Sequence, residues 1–119
     1  VRALALLVLL VAAGPVAAAP GRWEPRAPML SERTEVAGAV LAGTIYVAGG
    51  VVSGGAVTAA VEAYDPSADA WTSGAPMPTP RHGLAAVALG GRIHVVSGGP
   101  RPGVSCSGAH EVFAPDEGR

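Results

Sequence analysis

Three histidines, one cysteine and a handful of arginine and glutamate side chains are the groups in this 119-residue chain with chemistry to offer. His82, His94 and His110 stand 12 and 16 positions apart, a spacing that matches no compact metal-ligand motif, so no metal and no cofactor is expected. His110-Glu111 shares its first two residues with a zinc helix but lacks the second histidine. Cys106 lies alone in Ser105-Cys106-Ser107, with no His or second Cys beside it, and reads as free, buried or paired to another chain rather than catalytic. No Gly-x-Ser-x-Gly elbow supports a serine nucleophile. Lys, Asn and Gln are all absent, which excludes a P-loop lysine, a Schiff base and an N-glycosylation acceptor. The glycine pairs close strands and precede no helix, so they are not phosphate cradles. No catalytic constellation is found, and this weighs against an enzyme.

The scaffold that must position these groups is written twice. Trp23, Pro28, Met29, Arg33, Gly43, Ile45 and Val47 recur 48 positions later as Trp71, Pro76, Met77, Arg81, Gly91, Ile93 and Val95. A fixed period of this length marks an array whose units bury their apolar faces against one another. The net charge of -1 gives no pull toward nucleic acid or an anionic membrane.

Each unit reads as four short strands. Residues 35–42 and 84–89 are small and apolar on both faces, as an innermost strand requires. Ala42-Gly43 and Gly90-Gly91 are two-residue hairpin signals. They lead into the β-rich runs 44–48 and 92–96, which end in Gly49-Gly50 and in Gly98-Gly99, the second copy carrying one extra residue before its pair. Residues 60–64 and 110–113 supply third strands. Asp65-Pro66 opens a turn, and Trp71 starts a fourth strand. Ala114 stands where the turn Asp is expected, which weakens or removes the last turn.

Two glycines at a strand end, then Tyr64-Asp65-Pro66, then Trp71, then Met77-Pro78 and Arg81, resemble the kelch repeat over about 95 residues. The resemblance implies an all-β chain of kelch-type β-propeller blades, about two four-stranded blades forming a partial propeller. An orphan outer strand is expected near residue 23, blade one at about 34–75 and blade two at about 82–115. Trp23, Arg33, Gly49, Gly50, Tyr64, Asp65, Trp71, Gly98 and Gly99 are then repeat scaffold. Arg33 and Arg81 are expected to bond backbone carbonyls of a neighbouring blade. The loops entering the inner strand and joining strands two and three share one face, which the resemblance makes the binding face, with Thr34, Glu35, Arg81, His82 and Arg101 as candidates. His82 has no counterpart in the first copy, where Thr34 stands, and so is loop-specific. His94 matches Tyr46 and reads as a packed histidine.

Residues 1–18 read as a secretory signal, with Arg2 before an apolar run that Gly14-Pro15 breaks ahead of small residues. Residues 19–119 would form the mature repeats, in a secreted or periplasmic bacterial protein without a membrane span. Two blades fall short of the roughly four to eight that close a ring. The expectation is a shortened propeller, a homo-oligomer whose copies complete the ring, or a chain with exposed sheet edges. The function expected is an exported kelch module binding a protein or a glycan. The alternative is part of a kelch-fold carbohydrate-active enzyme, resembling a periplasmic sugar mutarotase or, with less support, galactose oxidase.

Overall fold

The structure is a computed structural model that describes residues 20–117. The leader assigned to residues 1–18 lies outside the described residues. The described chain is all β apart from one short 3-10 turn at Pro115–Glu117.

The first blade is a four-stranded antiparallel sheet in the order β2 (Ala37–Leu41), β3 (Thr44–Ala48), β5 (Val61–Asp65) and β6 (Ala70–Ser73). The second has β7 (Ala85–Leu89), β8 (Arg92–Val96) and β9 (His110–Phe113). Its outer strand is absent among the described residues: where blade one turns on Asp65, blade two has Ala114 and passes into the 3-10 turn. A small ladder pairs β1 (Arg33–Thr34) with β4 (Val51–Val52), and a single bridge between His82 and Gly99 repeats it in blade two.

Both hairpins at the inner edge are built on positive φ at two successive residues, Ala42 (50°) with Gly43 (80°) and Gly90 (59°) with Gly91 (74°). This turn continues the right-handed twist of the flanking strands. The glycine pair of blade two is displaced from its expected place. Ser97 (φ 62°) and Gly98 (φ 90°) occupy the conformations of Gly49 (φ 67°) and Gly50 (φ 105°), so no residue is inserted in the strand. Gly49 and Ser97 make the same backbone bond, from their N–H groups to the carbonyls of Ala60 and Ala109. The extra residue therefore lies in the loop that follows, and Gly99 belongs to that loop.

The core lies between the sheets. Ala48, Val61, Met77, Ile93 and Val95 are buried there, with Tyr46, Leu84, Ala86 and Phe113 packed around them. Alanines on the inner strands let β2 and β7 approach closely, and Tyr46 meets Phe113 edge-on at 5.8 Å.

Trp23 is not scaffold: it is 100% exposed and lies in no strand. The segment that follows it is tied to blade one, where Ala27 N–H donates to Asp69, Trp71 Nε1 donates to the Ala27 carbonyl and Leu30 N–H donates to Glu62. These bonds hold the N-terminal segment along the first blade. Trp71 itself packs on Tyr64 with ring centroids 5.0 Å apart.

Candidate functional site

One internal network recurs in both blades and decides which side chains are available for binding. Ahead of each inner strand, a hydroxyl grips a glutamate on the third strand, and an arginine two residues further on grips that glutamate and two carbonyls. In blade one, Ser31 Oγ donates to Glu62 Oε1 (2.5 Å), and Arg33 Nη1 donates to the carbonyls of Gly49 (2.8 Å) and Ala60 (2.9 Å). Arg33 Nη2 lies 3.1 Å from Glu62 but off the angle of a hydrogen bond, so charge alone holds that contact. In blade two, Thr79 Oγ1 donates to Glu111 Oε1 (2.6 Å), Arg81 Nη2 donates to Glu111 Oε2 (2.8 Å), and Arg81 Nη1 donates to Ser97 (2.8 Å) and Ala109 (2.9 Å).

Arg81 is 0% exposed. It cannot meet a ligand and is withdrawn from the binding face. The carbonyls these arginines satisfy belong to the blade whose inner strand each precedes, not to the neighbouring one.

Loops of both blades line one concavity. It has a volume of about 620 Å³ and is lined by Glu35, Val51, Gly55, His82, Gly83 and the stretches 97–99 and 102–106, with Pro100 and Arg101 outside its lining. Blade one supplies one wall and blade two the other. His82 spans them: its Nδ1 is 2.6 Å from Glu35 Oε2 and its Nε2 is 3.0 Å from the carbonyl of Arg101. The Glu35 carboxylate beside it, and then the Arg101 carbonyl, hold the imidazole above its ordinary pKa of 6.5, because protonation lets both ring nitrogens donate. Gly83 N–H adds a backbone bond to the Glu35 carbonyl (2.9 Å). Both imidazole nitrogens are thus committed within the protein, and His82 serves as a strut between blades rather than as an open ligand.

Ser105 closes the second wall. The Arg101 N–H donates to Ser105 Oγ (3.2 Å), and Ser105 Oγ donates back to the Arg101 carbonyl (2.7 Å). That carbonyl accepts from both Ser105 and His82, which fixes the loop whose tip carries the exposed Arg101 side chain. A Cβ at Gly99 would meet Ser105 Oγ, come 2.7 Å from the Ser105 carbonyl and 2.9 Å from His82 Nε2, so only glycine fits between Ser105 and the ring. Thr34, Glu35, Arg101 and Cys106 are exposed around the rim. Sequence reading missed Ser31, Thr79 and Ser105. The first two were detectable as hydroxyls 48 positions apart, whereas Ser105 has no counterpart and no sequence signal.

Among the described residues, no group of three or more His, Cys, Asp and Glu is placed to hold a metal ion, and no helix is long and apolar enough to cross a membrane. Tyr64 Oη donates to Asp69 Oδ1 (2.6 Å); that bond, first of all, holds the phenol above its usual pKa of 10.0 and the Asp69 carboxyl below 3.8.

Comparison with known proteins bears on these features. A family model described as the Kelch motif matches residues 32–78. An F-box/kelch-repeat protein of Arabidopsis thaliana is 46% identical over 52 residues, which cover 44% of this chain and 15% of that protein. The chain therefore spans a small part of the length of the curated relative it matches. That relative is a plant F-box/kelch-repeat protein, and it points away from an exported bacterial one. The secreted or periplasmic location expected from the sequence is corrected accordingly.

Proposed function

The chain is a kelch-repeat protein, and on that premise we propose that it binds a protein partner through the concavity at Glu35, His82 and the 97–106 loop. The observation that carries this reading is the four-loop convergence. Two blades contribute walls that the Glu35–His82–Arg101 strut holds in register, so the surface is formed before any ligand arrives and little ordering entropy opposes binding.

A protein ligand is favoured over a glycan by the lining. No Trp, Tyr or Phe lines the concavity, and the chain has no Asn or Gln to hydrogen-bond sugar hydroxyls in two directions. Backbone groups at the loop turns, the Glu35 carboxylate and the apolar Val51 and Val104 suit a peptide segment instead. The enzyme alternative finds no support in the same place, because the histidine there has both nitrogens occupied.

Selection of binders from a random peptide library tests the proposal. Ligands that lose affinity for Arg101→Glu and Thr34→Arg, yet keep it for Leu89→Ser on the far side of blade two, are the expected result. Ligands indifferent to both rim substitutions would contradict it.

A further inference from the structure

His94 and His110 are 16 positions apart in sequence, yet the β8–β9 register brings them together. His94 pairs with Val112 and His110 with Val96, so the two imidazoles lie diagonally on one face of blade two, the face opposite Ile93, Val95 and the core. Nδ1 of His94 is 3.0 Å from Nε2 of His110, with ring centroids 5.3 Å apart and planes tilted by 37°. Two ring nitrogens aimed at one another can share only one proton, so at least one lone pair points into the gap.

From this geometry we propose that His94 and His110 form a two-imidazole chelate for a divalent late transition-metal ion, with water completing the coordination. Imidazole nitrogens bind such ions at about 2.0–2.1 Å. At that length, nitrogens 3.0 Å apart subtend roughly a right angle at the metal. That is the cis angle of tetragonal and octahedral ions such as nickel(II), and a tetrahedral ion would need the nitrogens further apart. The glutamate next to His110 on β9 takes no part, since Glu111 turns to the opposite face and is held by Arg81 and Thr79. Val87 and Val112 stand across from His94 on its two neighbouring strands, and Arg92, paired with Leu89, lies two residues away on the same face of β8.

Nickel(II) titration of the full chain, followed by calorimetry and by paramagnetic broadening of backbone amides, tests the site. One ion per chain is expected, with broadening centred on Val96 and Val112. Affinity should fall about tenfold or more in His94→Tyr, which installs blade one's residue, and in His110→Ala. Absence of saturable binding, broadening centred elsewhere, or unchanged affinity in both variants would overturn the proposal. The broadening map needs no substitution and so does not depend on the variants folding.

Discussion

Replacing Arg81 by methionine keeps much of the side chain's volume while removing its charge and every donor. Four acceptors then lose a donor together: the carbonyls of Thr79, Ser97 and Ala109 and the carboxylate of Glu111, although the Ala109 carbonyl keeps the Ser97 N–H. A buried carbonyl left unsatisfied costs about 1–3 kcal/mol, and breaking a buried ion pair by removing one member costs about 3–5 kcal/mol. These terms describe one guanidinium and overlap. Glu111 also keeps Thr79 as a donor and is 19% exposed, so water can reach it. The net expectation is a loss of about 3–5 kcal/mol, against a total stability of about 5–15 kcal/mol for a natural domain. Urea unfolding of Arg81→Met and wild type, followed by far-ultraviolet circular dichroism, measures the difference. Adding Glu111→Leu should recover part of the loss, because the stranded carboxylate is gone. A loss under about 1 kcal/mol, the size of an exposed surface pair, would refute the reasoning that this arginine is the pin of its blade.

Ala42 holds φ at 50° where blade two has Gly90, so Ala42→Gly should stabilise the chain by up to about 1 kcal/mol in the same unfolding assay. Gly98→Ala should do the opposite, losing about 1–3 kcal/mol, since φ is 90° and the added Cβ would come 2.6 Å from the His82 carbonyl. His82 has a native pKa raised above 6.5 by Glu35, so its strut contributes fully below pH 6.5 and is lost as pH rises through the native value. Unfolding free energies across that window should show the decline in wild type and none in His82→Ala; parallel curves would contradict the strut.

The repeat period carried most of the fold because scaffold residues are constrained identically in each copy. Arg33 and Arg81, the 42–43 and 90–91 hairpins and the alternation of β3 and β8 all follow from a register that sequence displays. Ser97 was misplaced for the opposite reason. A serine in the left-handed conformation is disfavoured locally, so the nearest glycine pair looked like the match, and only the shared bond to the third strand identifies Ser97 as the partner of Gly49. The binding face was legible as a set of loops but not as a site. Arg81 and His82 are adjacent in sequence, yet one turns inward to Glu111 and the other crosses to Glu35, a division set by the tertiary carboxylates each can reach. The His94–His110 contact was invisible because it depends on strand register across a 13-residue loop.

Amide hydrogen exchange on the chain, with and without a peptide from the library selection, tests the central claim most directly. Binding at the concavity predicts protection at Thr34–Glu35, at Val51–Gly55 and across Pro102–Cys106, with the outer face of β7 and β8 unchanged. Protection confined to that outer face, with the loops exchanging as in the free chain, would contradict it.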